Sequence, residues 1–334
     1  MTNLVFVWLQ FALCVGLIGL AGMRLIRYGD ALAELTGLSR SWIGLILVAT
    51  VTSLPELVTG LSAVTIAKAP DIAVGDVLGS CVFNLTILAF IDAFYRKEAV
   101  YSVASRRHIL PATFGVILLS ASALILVLSA QGTIPNIGHV SLGSIALIGL
   151  YALAMKVIYQ VEKQNHETSK QISNNLSLKT ALMGYALASI VIVGSGIWLP
   201  FLGVELARAM GWSNSFVGTL FIALATSVPE LATTIGALRI GAVDLAISSL
   251  LGSNLFDVLI LALDDVAYQP GSLYAQVSSL HIVSALTGSI MSGAVIVALT
   301  YRPVSRVFRI GSWVSIVLLA LYVLNVVVQF IHGD

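Results

Sequence analysis

Long apolar runs separated by short polar stretches make up almost the whole of this sequence. A helix that crosses a bilayer needs about 20 mostly apolar residues, and ten runs meet that length. Lipid offers no hydrogen bonds to an open sheet edge, so all ten are predicted to be helices. The pattern predicts an all-α membrane protein with ten transmembrane helices, at residues 4–27, 42–66, 72–94, 109–130, 138–159, 179–204, 216–239, 244–266, 280–300 and 309–331.

Composition supports the membrane class. Hydrophobic residues make up 58% of the chain and charged residues 10%, with a mean hydropathy of +0.99, outside the range of soluble globular proteins. The first run is expected to stay in the mature chain, since no basic residue precedes it and Arg24 lies at its far end. The lipid bilayer is therefore the predicted surrounding, and neither a nucleic acid nor a protein partner is predicted.

Basic residues predict the orientation of the chain. If the N-terminus faces outward, 15 of the 17 Lys and Arg residues fall in inward connections, and only Lys68 and Arg208 face outward. This asymmetry is what the positive-inside rule describes. Both termini are predicted to lie outside a plasma membrane, the inner membrane in a bacterium.

The chain also contains an internal repeat. Residues 29–66 match 203–240, and after a one-residue slip near Pro70, residues 71–92 match 244–265, with 26 identities in 60 positions. The polar stretch 160–178 is predicted to be a cytoplasmic linker between the halves 1–159 and 179–334. The repeated segment of the first half spans about 42–94, and that of the second half spans about 216–266. Five helices per half make the second copy enter the membrane from the opposite side, a plan typical of secondary transporters.

The repeated residues are rich in oxygen. TSLPE at 52–56 returns as TSVPE at 226–230. Proline lacks an N–H and crowds the preceding turn, so each motif should break its helix and free the carbonyl of Val51 or Ala225. Helical spacing sets Thr52 over Glu56, Ser80 over Asn84, Thr226 over Glu230 and Ser253 over Asp257.

Such a set of side chains predicts a site for hard cations. An ionised carboxylate at mid-span costs about 2.5–3.5 kcal/mol, and no Lys or Arg is predicted beside Glu56, Glu230 or Asp257. Cations or protons must then supply the counter-charge. Ca²⁺ takes six to eight oxygen ligands, whereas zinc, copper or iron would favour His or Cys. No cofactor is predicted besides the transported ions.

Other polar residues have simpler interpretations. Asp71 and Asp244 are expected to cap helix N-termini, and the glycines of Gly79-Ser80 and Gly252-Ser253 could equally serve close helix packing. The remaining acids are left out of the predicted site, since Asp76 lacks an acidic counterpart in the second repeat and the others are placed at membrane interfaces; these are Asp92, Asp264 and Asp265.

The two motifs resemble the paired α-repeats of sodium/calcium exchangers, within the calcium/cation antiporter superfamily. TSLPE is followed by DIAVGDVLGSCVFN, and TSVPE by DLAISSLLGSNLFD. The resemblance implies that Glu56 and Glu230 are central ligands of Ca²⁺ and Na⁺, completed by Asn84 and Asp257, and that helices 1 and 6 move across a core of helices 2, 3, 7 and 8. Further oxygens would come from Thr52, Ser53, Ser80, Thr226, Ser227 and Ser253 and from the carbonyls of Ala49 and Ala223, with Glu56, Glu230, Thr52 and Thr226 serving Ca²⁺.

Departures from the family pattern bear on ion choice. Val51 and Ala225 stand where glycine is usual before the TS pair, Cys81 replaces a common Asn, and Asp76 replaces a frequent Asn. The threonine-serine pair favours Na⁺ over H⁺ as the counter-ion, and dependence on K⁺ stays open.

Three classes of function remain to be compared. Exchange of Ca²⁺ for Na⁺ by alternating access at a midplane site is the main hypothesis, with H⁺-coupled antiport of Ca²⁺ or another divalent cation as the alternative. A passive cation channel would need polar residues along a whole pore rather than at one depth. An intramembrane protease is disfavoured, because the helices lack the GxGD, HExxH and GxSG motifs.

Overall fold

Long helices account for almost all of the described chain. The computed structural model describes residues 4–35, 49–95, 99–164, 177–303 and 311–332. The first half comprises α1 (Leu4–Leu35), α2 (Ala49–Thr52), α3 (Leu54–Ser62), α4 (Pro70–Phe94), α5 (Val100–Val103), α6 (Ile109–Ala130) and α7 (Leu142–Gln164). The second comprises α8 (Leu178–Met210), α9 (Asn214–Val217), α10 (Ala223–Thr226), α11 (Val228–Arg239), α12 (Val243–Ala267), α13 (His281–Tyr301) and α14 (Trp313–His332).

Short elements connect these helices. Two π-helical turns span Ala63–Ala67 and Gly218–Ile222, and two 3₁₀ turns span Arg106–His108 and Leu273–Ala275. Strands β1 (Asn136–Ile137) and β2 (Val140–Ser141) form a small antiparallel hairpin.

The predicted all-α membrane fold is confirmed. Eight of the described helices are long and apolar enough to cross a membrane, and the segments Asn214–Thr226 and Val228–Arg239 form a ninth span bent by 44°. The second predicted span, 42–66, begins outside the described residues, and its described part contains the shorter apolar helix Leu54–Ala67. The count of ten therefore stays a prediction.

Three predicted boundaries were wrong. The spans 4–27 and 179–204 continue as helices to Leu35 and Met210, because their last turns carry charged residues that an apolar window cuts away. α8 ends where Gly211 takes the left-handed conformation, with φ 69°, as helix C-termini commonly do. The predicted span 138–159 begins later, at Leu142, since the hairpin occupies the residues before it.

Each helix that carries a TSxPE motif breaks at the serine of the motif. Ser53, between α2 and α3, has φ −86° and ψ 14°, and Ser227, between α10 and α11, has φ −83° and ψ 9°. The following proline lies in the first turn of the next helix, where its missing N–H costs no hydrogen bond. The prediction that both motifs interrupt their helices is confirmed.

The π-helical turn Ala63–Ala67 lies where the two repeats fall out of step. A π turn holds one more residue than an α-helical turn. The chain then leaves through Lys68, which has φ 55°, whereas the second repeat leaves α11 through Gly241 with φ 76°. The one-residue slip near Pro70 is thus an insertion that the first repeat absorbs as a π turn.

The two halves contact each other reciprocally at the starts of α4 and α12. Asp71 accepts a hydrogen bond from the backbone N–H of Ser278 over 2.7 Å and lies 3.0 Å from His281 Nε2. In the other half, Asp244 accepts from the N–H of Ser105 over 2.8 Å and lies 2.8 Å from His108 Nε2. The prediction that these aspartates cap their own helices was wrong, because each caps a turn of the opposite half.

A second repeated pair ties loops to the ends of α4 and α12. Asp92 and Asp265 are fully buried, and each accepts two backbone N–H groups and one serine hydroxyl. Burial and the nearby Asp265 carboxylate hold the pKa of Tyr274 well above its usual range, so the Tyr274 hydroxyl stays protonated beside Ser144. The donors are Val100, Ser312 and Ser315 for Asp92, and Ser141, Leu273 and Ser144 for Asp265.

The two longest helices, α1 and α8, lie against each other and against the breaks. A Cβ added to Gly184 of α8 would lie 2.3 Å from the Tyr28 ring of α1, and one added to Gly22 of α1 would lie 2.4 Å from Pro229. Glycine is needed at both places, since any larger residue would separate these elements. The first helix of each half therefore packs directly on the interrupted helices.

Candidate functional site

The breaks bring one glutamate from each half to the centre of the protein. Glu56 and Glu230 lie in the first turns of α3 and α11, and their exposed fractions are 1% and 0%. A helix N-terminus directs unpaired N–H groups toward negative charge. Each break thus positions a buried carboxylate at the positive end of a short helix.

Hydroxyl groups of each motif reach the glutamate of the other motif. Ser227 donates to Glu56 Oε1 over 3.2 Å, and Ser53 donates to Glu230 Oε1 over 3.4 Å. Ser253 of α12 lies 3.4 Å from the same Glu230 oxygen. The bonds from Ser227 and Ser53 cross between the halves and hold the two breaks face to face, whereas the contact of Ser253 with Glu230 lies within the second half.

The threonines of the motifs pair with the serines of α4 and α12. Thr52 Oγ1 lies 3.1 Å from Ser253 Oγ, and Thr226 Oγ1 lies 3.5 Å from Ser80 Oγ. Ser80 is also 3.5 Å from the carbonyl oxygen of Ala223. Ala49 begins α2, and the role of its carbonyl stays a prediction.

Asn84 of α4 and Asp257 of α12 are linked across the interface between these helices through Asn254 and Cys81. Asn84 donates to Asn254 Oδ1 over 3.1 Å, and Asn254 donates to the Cys81 carbonyl over the same distance. The Cys81 thiol lies 3.7 Å from Asp257 Oδ2. Sequence reasoning named Asn84 and Asp257 and missed Asn254, although Asn254 occupies the position equivalent to Cys81.

Asp76 belongs to this cluster, contrary to its exclusion from the predicted site. Its side chain is fully buried, and its Oδ1 accepts a hydrogen bond from Thr226 over 2.8 Å. Symmetry misled the prediction, since the equivalent residue of the second repeat is Ser249. Helical spacing would have found it, because residues 76, 80 and 84 share one face of α4.

Five buried side-chain oxygens in this cluster lack a hydrogen-bond partner among the described residues. Each belongs to a carboxylate or amide whose other polar atom is bonded, so the group is held with one oxygen free. Leaving such oxygens buried and unpaired is costly unless a ligand compensates them. They are Glu56 Oε2, Glu230 Oε2, Asp257 Oδ1, Asp76 Oδ2 and Asn84 Oδ1.

The donor set suits hard cations. Carboxylate, amide, hydroxyl and carbonyl oxygens are the ligands of Ca²⁺ and related ions. The described side chains contain no group of three or more His, Cys, Asp and Glu arranged to hold one metal, so hydroxyls and carbonyls would have to complete the coordination. The only ion pairs found in the described part of the chain join Asp71 and Asp244 to residues outside this cluster.

Val51 and Ala225, the residues before the two TS pairs, lie in apolar surroundings. Val51 is buried in a small apolar cluster with residues of α1 and α8. Ala225 belongs to the main apolar core. The departures from glycine at these positions therefore affect packing against the neighbouring helices.

Comparison with known proteins agrees with this arrangement. The profile of the family described as "Sodium/calcium exchanger protein" matches residues 6–160 and 180–331. The chain belongs to this family. Both halves are matched, with the break between them inside the polar stretch.

Relatives of this exchanger family cover most of the chain. Inner membrane protein YrbG of Escherichia coli (strain K12) is 28% identical over 255 residues, which are 75% of this chain and 76% of that protein. Sodium/calcium exchanger MaX1 of Methanosarcina acetivorans is 23% identical over 343 residues, covering 91% of this chain and 93% of its own.

Two solved structures share the fold. A structure of the sodium-calcium exchanger NCX_Mj aligns over 97% of this chain and 99% of its own with a TM-score of 0.60 and 22% identity. Native YfkE aligns over 96% and 91% with a TM-score of 0.64 and 19% identity. The likeness shows that the chain has the membrane fold of these proteins.

Proposed function

We propose that this protein is a secondary active cation antiporter that exchanges Ca²⁺ for Na⁺ across the plasma membrane by alternating access. The observation that carries the proposal is the set of five unpaired, buried oxygens held between the two breaks. Membership of the exchanger family supports it, as does the similarity to a protein named sodium/calcium exchanger MaX1. The name of the relative YrbG supports an inner-membrane location.

The two central glutamates would bind both cargo ions. Oε2 of Glu56 and of Glu230 are free, while Oε1 of each is fixed by hydroxyls of the opposite half. Fixing one oxygen orients the other, which lowers the conformational cost of binding a cation. Thr52 and Thr226 would add oxygens for Ca²⁺, and the remaining ligands would come from Asn84, Asp257, Ser53, Ser227, Ser80, Ser253 and the carbonyls of Ala49 and Ala223.

Asp76 adds a carboxylate that the family resemblance did not include. Its Oδ2 is free and its Oδ1 holds Thr226. It therefore both supplies charge and positions a hydroxyl of the proposed Ca²⁺ ligand set.

Exchange follows from the charge of the site. Ionised carboxylates in a dehydrated position are costly without counter-charge, so the protein would change its direction of opening only when cations occupy the site. Ca²⁺ in one direction and Na⁺ in the other both satisfy this condition. Uncoupled movement of the empty protein is then slow, and the two fluxes are linked.

The helix pair α1 and α8 would change access to the site. Gly22 of α1 sits on Pro229, and Gly196 of α8 sits on Val58 of α3, where an added Cβ would lie 2.4 Å and 2.9 Å from the opposing side chains. A contact at which one helix presents a glycine has no side chain of that helix in the way, and such contacts allow two helices to slide past each other. Sliding of the pair over the breaks would expose the glutamates to alternate sides.

Purified protein in liposomes can test the coupling. Ca²⁺ uptake is measured into vesicles loaded with Na⁺, into vesicles with an acidic interior and no Na⁺, and into vesicles with neither gradient. Na⁺-driven uptake alone supports the proposal. Uptake driven only by the pH gradient overturns the sodium version in favour of H⁺ coupling, and uptake without either gradient indicates a passive channel. Competition by Mg²⁺, Mn²⁺ and K⁺ then ranks the cargo ions.

A further inference from the structure

Asp264 is a buried acid that the cation site does not use. Its exposed fraction is 0%, and neither of its carboxyl oxygens has a hydrogen-bond partner among the described residues. It was expected at a membrane interface with Asp92 and Asp265, and its depth in the membrane stays a prediction. Unlike those two residues, it accepts no loop N–H group.

The position of Asp264 continues the surface of the central site. It follows Asp257 by seven residues on α12, so the two side chains share a helix face about 10 Å apart along the axis. Its carboxyl group rests on Gly60, which follows Glu56 by one turn of α3. A Cβ added to Gly60 would lie 2.4 Å and 2.8 Å from the two Asp264 oxygens.

This arrangement occurs in one repeat only. The residue equivalent to Asp264 in the first repeat is Ile91, which is buried and apolar. A carboxyl group without a partner is a poor substitute for an apolar side chain in a membrane interior, because its desolvation is uncompensated. The acid therefore does something other than pack.

A proton satisfies this site better than a metal cation does. Ca²⁺ requires six or more oxygens, whereas the residue set against the carboxyl group is Gly60, which has no side-chain oxygen, and neither Asp264 oxygen has a hydrogen-bond partner among the described residues. A proton needs no further ligand. The ionisable groups whose interaction with Asp264 the structure shows are Asp76 of α4, which is an acid, and Tyr274 of the turn packed against α12, whose hydroxyl bonds to Ser144; the adjacent residue on α12 is the acid Asp265. The negative charges of Asp76 and Asp265 also favour a protonated neighbour.

We propose that Asp264 is a proton-binding site beside the cation site, and that it holds its proton at neutral pH. Loss of the proton adds a negative charge beside Gly60, which lies one turn of α3 beyond Glu56. The added charge strengthens binding of the cation in the central site, so proton release and cation binding favour each other. The effect on transport rests on the proposed function, whereas the protonation state does not.

Infrared spectroscopy of the purified protein tests the protonation state directly. The difference spectrum of wild type minus Asp264→Asn at neutral pH should contain the C=O stretch of a protonated carboxyl group, shifted downward in D₂O. A difference spectrum with only carboxylate bands would overturn the proposal. Asp264→Ile, which installs the residue of the first repeat, gives a second comparison if the amide variant does not purify as a single species.

Cation binding tests the coupling separately. The quantity compared is the factor by which the apparent affinity for Ca²⁺ increases with pH. This factor should be at least about threefold larger in wild type than in Asp264→Asn. Equal pH dependence in the two proteins would overturn the coupling. If neither protein binds Ca²⁺ while the carboxyl band is present, the proposed cargo is wrong and the proton site stands.

Discussion

Ser227 of the second repeat donates a hydrogen bond to Glu56 of the first over 3.2 Å. The equivalent bond from Ser53 to Glu230 runs in the opposite direction over 3.4 Å. One oxygen of each glutamate is thereby fixed and the other is left free. Each half of the protein thus orients the glutamate of the other half, and both halves contribute to the proposed cation site.

Replacing Asp76 by asparagine tests whether Asp76 contributes its negative charge to cation binding or only positions Thr226. Asp76→Asn keeps an oxygen that can accept the hydrogen bond of Thr226 and removes the negative charge. We expect the fold to be retained and the apparent affinity for Ca²⁺ to fall about tenfold, which corresponds to about 1.4 kcal/mol. Radioactive Ca²⁺ binding to the purified variant measures this, and an unchanged affinity would show that Asp76 only positions Thr226.

Close contact of α4 with the second break depends on Gly79. A Cβ at this position would lie 2.4 Å from the Thr219 carbonyl oxygen and 2.8 Å from the Ala223 Cβ. Gly79→Ala should therefore push Ser80 away from Thr226 and destabilise the protein by about 1–3 kcal/mol. Thermal unfolding and Ca²⁺ uptake are measured together. Gly236→Ala is the matched control, because its added Cβ would meet no atom within 4 Å, and an equal effect of both changes would contradict the packing argument.

Cys81 should make the site sensitive to soft cations. Its thiol lies 3.7 Å from Asp257 Oδ2, and thiolates prefer softer metals than oxygen ligands do. We expect Cd²⁺ to inhibit Ca²⁺ uptake in wild type and Cys81→Ser to weaken that inhibition several-fold, with little change in Ca²⁺ affinity. Cys14→Ser is the control, since Cys14 contacts the Ser195 carbonyl in α8 instead. Equal inhibition of wild type, Cys81→Ser and Cys14→Ser by Cd²⁺ would show that Cys81 is not part of the proposed cation site.

The reciprocal His–Asp contacts should hold the halves together. His281→Ala removes the partner of Asp71, and His108→Ala removes that of Asp244. Both histidines are buried, with exposed fractions of 0% and 2%, so each change should cost about 1–3 kcal/mol of stability. Fluorescence-monitored unfolding in detergent measures the loss. His139→Ala, at the exposed hairpin, should leave the unfolding temperature unchanged, and a loss of equal size there would refute a specific role for the buried pairs.

Local signals in the sequence predicted the two breaks and the residues that cluster around them. A proline and a glutamate inside an apolar run are costly, and their return in the second half predicted that Glu56 and Glu230 lie close together. The oxygen-bearing residues of α4 and α12 followed from the alignment of the repeats and from helical spacing. Symmetry between the repeats thus predicted the centre of the cluster, and its role as a cation site stays a proposal.

The same symmetry hid an acid that occurs in one repeat only. Asp76 faces Ser249 in the repeat alignment and was excluded for want of a matching acid, whereas Asp264, which faces Ile91, was excluded because it was placed at a membrane interface. Loop anchoring by Asp71, Asp92, Asp244 and Asp265 was also beyond reach, because it depends on which turn of the folded chain approaches each carboxylate. Helix ends were misjudged where charged residues continue a helix past its apolar run.

Removing the negative charge of Glu56 tests the proposed cation site most directly. Glu56→Gln keeps the size of the side chain and its bond to Ser227, and it removes the charge that a bound cation would compensate. Na⁺-driven Ca²⁺ uptake by liposomes is compared for wild type, Glu56→Gln and the control Glu205→Gln on α8. We expect uptake by Glu56→Gln to fall by at least about tenfold, a loss of about 1.4 kcal/mol or more, while Glu205→Gln transports like wild type. Normal uptake by a folded Glu56→Gln protein would contradict the site.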